Sequence, residues 1–316
     1  MSSLPDLADF EAFRTWRADT SRWLPVVRDI ARSHVLSEVV SHVFATGTNL
    51  VMALDQRLIL KIFPPMFRAQ YVSERLSLTQ LCGRLSVPIP KIVAEGERDG
   101  WPYLAITRLS GVLGSDAWPA MPEAEKERVL RQIGTVIAEV QRVPPGPLLD
   151  IAPGWEAFLR GQIAGCRARH ARLGLAPKFL DGLDDLLRDA AILIPCDAPP
   201  VILVGEYIPE NFLLANDHGA WRVAGLFDFG DVMTGFRDYD LLGPSAFMTA
   251  GRPRRVQSLF EGFGYAGSDV DFALKRRLLA LMLLHRASDP VRHICIEDWQ
   301  QKAGDLVELQ ELIWPY

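Results

Sequence analysis

Gly205-Glu206-Tyr207-Ile208-Pro209-Glu210-Asn211 leads into an apolar, strand-like stretch and then into Leu226-Phe227-Asp228-Phe229-Gly230. A carboxylate, four intervening residues, an asparagine and a later Asp-Phe-Gly is the spacing that kinase-type phosphoryl transfer uses for its catalytic loop and metal-binding carboxylate. The chemistry explains the residue types. A carboxylate orients the acceptor hydroxyl and takes its proton, while hard oxygen ligands hold Mg²⁺ against the phosphates. Glu206 is the candidate base, and Asn211 and Asp228 are the candidate metal ligands; magnesium keeps several waters, so an amide and a carboxylate suffice. Two positions depart from the usual form of such a loop. Glu206 stands where Asp is customary, and Val204 stands where His or Arg is. The longer Glu must retract to reach the same proton.

Working outward, Val43 to Leu54 reads as strand, turn and strand around Gly47-Thr48-Asn49, with Gln56-Arg57 as a hairpin tip and Leu58 to Phe63 as a third strand. Lys61 lies in that third strand between apolar neighbours, where an unpaired ammonium is costly and demands a partner. Apolar residues at helical spacing predict a helix over Arg68 to Leu85, and Glu74 on it is the expected partner. Such a Lys–Glu pair positions the lysine against nucleotide phosphates. Gly47 alone is a hairpin glycine, but Thr48 and Asn49 beside it offer hydroxyl and amide donors to the phosphates. A further strand, Trp101 to Leu109, ends at Ser110-Gly111, and the backbone of Thr107 to Leu109 is the expected place for an adenine ring.

The ordered set Gly47-Thr48-Asn49, Leu60-Lys61-Ile62-Phe63, Val87-Pro88-Ile89-Pro90, Trp101-Pro102-Tyr103-Leu104, Thr107 to Gly111, Glu206 to Asn211 and Asp228 to Val232 resembles the aminoglycoside phosphotransferase family, and within it the hygromycin B kinases. The resemblance runs from about Trp16 to the C-terminus. It implies an α+β, two-lobed protein-kinase-like fold, with an N-terminal nucleotide-binding lobe over residues 1–109 and a larger, mostly helical C-terminal lobe over 110–316. It also implies ATP and Mg²⁺ as cofactors, and transfer of the γ-phosphoryl group to a hydroxyl of a cationic aminoglycoside-type antibiotic, hygromycin B-like, which would confer resistance. The alternatives are a kinase of choline, homoserine or another metabolic alcohol, and a nucleotide-binding pseudokinase in which Glu206 no longer supports transfer. Retention of Lys61, Glu74, Asn211 and Asp228 together favours an enzyme. The family lines its acceptor site with carboxylates, for which Asp231, Glu156 and Asp238, and beyond them Glu297 and Asp298, are the candidates here. Asp240 is expected to brace the catalytic segment, and Gln141 replaces a histidine frequent in relatives.

Composition agrees. At 316 residues, 49% hydrophobic and 23% charged, the chain can bury a sizeable core. A net charge of -5 disfavours nucleic acid and suits a cationic small molecule. Cys82, Cys166, Cys196 and Cys295 lack metal-ligand spacing and read as buried free thiols. The six histidines are equally dispersed. Met1 to Asp6 carries no signal-peptide pattern, and the apolar run Leu278 to Leu284 is far short of the ~20 residues that span a bilayer. The expectation is a cytoplasmic monomer or weak dimer without membrane contact. Helical spacing covers Leu7 to Val40, Glu123 to Arg142, Trp155 to His170, Pro177 to Ile194 and the region from Arg254 onward.

Overall fold

The computed structural model describes residues 3–195 and 197–316. The chain divides into two compact units, one formed by the residues through Cys82 with Pro88–Ser110 and Phe227–Asp231, the other by Gly83–Val87, Gly111–Leu226 and Val232–Tyr316. The Asp-Phe-Gly segment, expected with residues 110–316, thus belongs to the first unit.

In the first unit, α1 (Phe10–Arg17) and α2 (Thr20–Ser33) start at Asp9 and Asp19, whose carboxylates accept from the Ala12 and Ser21 amides. A five-stranded antiparallel sheet follows, β1 (Val40–Phe44), β2 (Leu50–Leu54), β3 (Leu58–Ile62), β4 (Ile92–Arg98) and β5 (Trp101–Thr107), in the order β1-β2-β3-β5-β4. Successive strand residues face opposite ways. Leu60 and Ile62 therefore join Leu50, Met52 and Leu54 in a core with Phe13, Trp16, Trp23 and Val27 of the leading helices. The intervening Lys61 is directed to the other face, toward α3 (Arg68–Leu81). That helix stops short of the expected Leu85, because Cys82 is extended and Gly83 takes φ 71°. Strand β5 ends at Thr107 rather than Leu109.

The second unit is mostly helical. Its helices are α4 (Gly114–Ala117), α5 (Glu123–Arg142), α6 (Trp155–Arg172), α7 (Pro177–Asp181), α8 (Leu183–Leu193), α9 (Leu242–Pro244), α10 (Pro253–Phe263), α11 (Phe272–Leu284), α12 (Pro290–His293), α13 (Trp299–Lys302) and α14 (Leu306–Ile313). Short strands flank residues 204–211: β6 (Val112–Leu113) pairs with β8 (Phe212–Asp217), which pairs with β9 (Ala220–Leu226), while β7 (Val201–Leu203) pairs with β10 (Met233–Gly235). Helix α5 starts after Pro122 and ends before Pro144, as the sequence predicts. It crosses α10 in backbone contact, because a Cβ on Gly134 would overlap the Leu259 carbonyl and one on Gly262 would overlap the Arg131 carbonyl. The predicted helix over 177–194 is broken at Gly182.

Of the cysteines, only Cys166 is buried among the described residues, and its thiol is pushed up to about 11 by burial. Cys82 and Cys295 are exposed, which corrects the expectation of buried thiols, and Cys196 lies outside the described residues. No described helix is long and apolar enough to cross a membrane.

Candidate active site

In the first unit Lys61 Nζ lies 2.5 Å from Glu74 Oε2 and 2.9 Å from Asp228 Oδ1. Lys61 and Glu74 are buried, whereas the Asp228 side chain is 46% exposed. Burial works against the ammonium, but the Asp228 and Glu74 carboxylates outweigh it and hold its pKa above the ordinary lysine value. Burial pushes Glu74 up to about 7 even though Lys61 opposes the shift. Lys61 in turn holds Asp228 below the usual carboxylate range against burial. An ammonium has three donors. Two are engaged by these carboxylates.

Asp228 has φ 67°, the left-handed region that only Gly, Asn and Asp adopt readily. Ser73 on α3 donates to the Phe229 carbonyl at 3.3 Å and so ties the Asp-Phe-Gly turn to the helix that carries Glu74.

The Gly47 turn is held differently from the expectation. Gly47 takes φ 91°. Arg17 on α1 donates to the carbonyls of Ala45 at 2.8 Å, Gly47 at 2.7 Å and Asn49 at 3.1 Å. Thr48 Oγ1 and Asn49 Nδ2 donate to Gln70 Oε1 on α3 at 3.0 and 3.2 Å. Asn49 is buried, so it anchors the loop and does not stand ready as a phosphate donor. Gln70 Nε2 reaches Asp231 Oδ1 at 3.4 Å. Thr107 engages Lys91 with both its amide and its hydroxyl, each at 2.9 Å, and the Arg108 amide donates to the Arg57 carbonyl at 2.7 Å. Of the amides expected to meet adenine, those of Thr107 and Arg108 are therefore taken, which leaves Leu109 as the candidate.

In the second unit several backbone groups of residues 204–211 are held by side chains. Asp240 accepts from the Gly205 amide at 2.8 Å and the Val204 amide at 3.2 Å. Burial pushes the Asp240 carboxyl up to about 7, with these amides and Gln141 opposing. Gln141 also donates to the Arg237 carbonyl at 2.8 Å and so braces the same region. Asn211 Nδ2 donates to the Glu206 carbonyl at 3.0 Å. An amide bonded in this way leaves Oδ1 as its ligand atom. Glu206 is half-buried beside it.

His285 was not legible as a site residue. Its Nε2 lies 3.1 Å from the Gly205 carbonyl, and since a carbonyl only accepts, Nε2 carries the proton while Nδ1 accepts from the Ala287 amide at 3.2 Å. The ring stacks on Tyr239 at a centroid distance of 4.7 Å. Burial pulls its pKa from 6.5 down to about 4, against the contact with Gly205. The unfolded chain therefore binds a proton between these values that the folded chain does not. The stability contributed by the neutral ring is present above about pH 6.5 and is lost as pH falls toward 4, by at most about 1.4 kcal/mol per pH unit. His285→Gln keeps a donor without titrating, so its melting temperature should fall less steeply than wild type over that window. Parallel melting curves would contradict the assignment.

The expected acceptor carboxylates separate into distinct environments. Asp238 is fully buried between Arg277 at 2.8 Å and the Tyr265 hydroxyl at 2.5 Å. This corrects its expected role, because a carboxylate closed off by two partners serves the fold. Glu156 is an exposed helix residue paired with Arg160 at 3.2 Å. Glu297 and Asp298 are exposed. Among the described residues no group of three His, Cys, Asp or Glu side chains forms a metal cage. Asp228 in the first unit and Asn211 in the second each offer a hard oxygen, the kind of donor that a largely hydrated Mg²⁺ accepts.

The phosphotransferase enzyme family matches residues 43–277 of the chain. Among solved structures, the GDP complex of wild-type aminoglycoside 2'-phosphotransferase-IIIa is similar at TM-score 0.62 and 20% identity, over 93% of this chain and 97% of that one. The GDP and kanamycin complex of APH(2")-IIia gives TM-score 0.59 at 19% identity over 78% and 84%. The streptomycin-ATP-APH(2")-IIa ternary complex gives 0.56 at 12% over 88% and 96%. At these identities the likeness is one of fold, and it is a protein-kinase-like one. No curated protein matches the sequence.

Proposed function

Because the chain belongs to the phosphotransferase enzyme family, we propose that it transfers the γ-phosphoryl group of ATP to a hydroxyl of a small molecule. The observation that carries this is the contact of Lys61 with both Glu74 and Asp228, at 2.5 and 2.9 Å. A lysine buried between two carboxylates with one donor left over is arranged to meet an anion.

Asp228 and Asn211, through its Oδ1, are the residues that would hold Mg²⁺, and the ion would supply positive charge to offset charge developing on the phosphates. Lys61 orients the phosphates from the protein side. Glu206 accepts the hydrogen bond of the acceptor hydroxyl, aligns its oxygen with the phosphorus and takes its proton as the new O–P bond forms. Asp240, His285 and Asn211 fix the backbone from which Glu206 projects, so the longer side chain starts from a rigid base.

The finer reading, an aminoglycoside-type acceptor close to hygromycin B, draws support from the net charge of -5 and from neighbours whose complexes contain kanamycin, streptomycin and gentamicin. A different small alcohol is favoured by one observation, the burial and pairing of Asp238, which removes a carboxylate from the acceptor side. Mass spectrometry of a panel of alcohols incubated with ATP and Mg²⁺ tests transfer. Glu206→Gln keeps length and hydrogen bonding but removes basicity, and general-base catalysis contributes about 10²–10⁴-fold. Its kcat should fall on the order of a hundredfold or more with nucleotide affinity nearly unchanged. A wild-type kcat in this variant would assign the proton to another group, and no transfer by wild type to any alcohol would favour a pseudokinase.

A further inference from the structure

Beside Glu206 the second unit contains a cavity of about 170 Å³, walled by Ile208, Leu242, Ala246, Phe247 and Met282. Ala246 and Phe247 reach it from a π-helical turn, Ser245–Thr249, that closes on Ala250 at φ 49°. Such irregular turns concentrate at functional sites.

The polar lining is sparse. Besides Glu206 it contains one carboxylate, Asp289, which accepts from the Arg292 amide at the start of α12 at 3.3 Å. His293 lies against the Phe247 ring at 5.1 Å, and His285 donates to the Gly205 carbonyl and carries no charge near neutrality. Ser288 also lines the cavity, but its Oγ is buried away from the open space, so the lining offers an acceptor few polar contacts.

Resting on the phosphotransferase reading, we propose that the acceptor held at Glu206 is a neutral or singly charged alcohol with an apolar carbon face that packs on Phe247. A polycationic aminosugar brings several ammonium groups, and each gives up part of its hydration against an apolar wall unless a carboxylate meets it. Leu242, Ala246, Phe247 and Met282 cannot supply that compensation. They reward removal of apolar surface from water instead.

The test sets small neutral and singly charged alcohols, among them cyclohexanols, monoterpene alcohols and choline, against hygromycin B and kanamycin, with ATP consumption and product mass as readouts. The expected result is a higher kcat/KM for an apolar alcohol. Phe247→Ala should raise KM for that acceptor by on the order of tenfold, while KM for ATP stays put. A preference for hygromycin B or kanamycin, or an unchanged acceptor KM in Phe247→Ala, overturns the acceptor class and leaves the kinase reading standing. Phosphorylation of no alcohol of either kind overturns both.

Discussion

Asp228→Asn is expected to lower kcat by on the order of 10³-fold or more while the protein melts close to wild type. The effect is large because the substitution removes the charge that would hold Mg²⁺ against the phosphates, where preorganised electrostatics supply most of the acceleration. Asparagine is the informative replacement. It tolerates φ 67°, the left-handed backbone that Asp228 adopts, so the Asp-Phe-Gly turn is kept. Alanine at this position would add backbone strain to the loss of charge. Steady-state kinetics beside a thermal melt separates the two contributions, and a folded Asp228→Asn protein that retains kcat within tenfold would remove Asp228 from the metal site.

Lys61→Met should be costly in a different way. Methionine fills the space of the lysine stem but leaves Glu74 buried without its cation. Removing one partner of a buried pair destabilises by about 3–5 kcal/mol, because the remaining charge is uncompensated. Glu74, already pushed up to about 7, would then rise further and take up a proton. A carboxyl whose folded pKa is raised contributes most below its unfolded pKa and loses that contribution as pH rises through the folded value. The deficit of Lys61→Met should therefore be smallest near pH 4.5 and grow toward pH 8 in urea melts. Adding Glu74→Gln should restore much of the stability and none of the activity, with kcat/KM for ATP still reduced on the order of a hundredfold or more. A single variant as stable as wild type at pH 8 would show that the two side chains are not a coupled pair.

Local signals in the sequence explain which features could be read from it. Helix α5 is delimited by Pro122 and Pro144, and the β2–β3 hairpin by turn residues between apolar alternations, so both are visible in short windows. Lys61 was legible as a lysine in need of a partner because an apolar strand offers it no water. Strand β4 was not, since Glu95, Glu97 and Arg98 interrupt its apolar character at the edge of the sheet. Asp238 reads as one more loop carboxylate until Tyr265 and Arg277, far along the chain, close on it. Arg17, Gln70 and His285 escape for the same reason. Each acts on backbone or side chains remote in sequence, and an arginine on the polar side of an amphipathic helix gives no hint that it holds carbonyls some thirty residues away.

The arginine that fastens the Gly47 turn lies outside the stretch that defines the family, which begins at residue 43. The same is true of Phe13, Trp16, Trp23 and Val27, which cover one face of the nucleotide-side sheet. Excision of residues 43–277 as a minimal enzyme would strip that face bare and present Leu50, Met52, Leu60 and Ile62 to water, the kind of contiguous apolar patch that drives aggregation. The fastening of the Gly47 turn and the cover of one sheet face are thus encoded ahead of the stretch that the family shares.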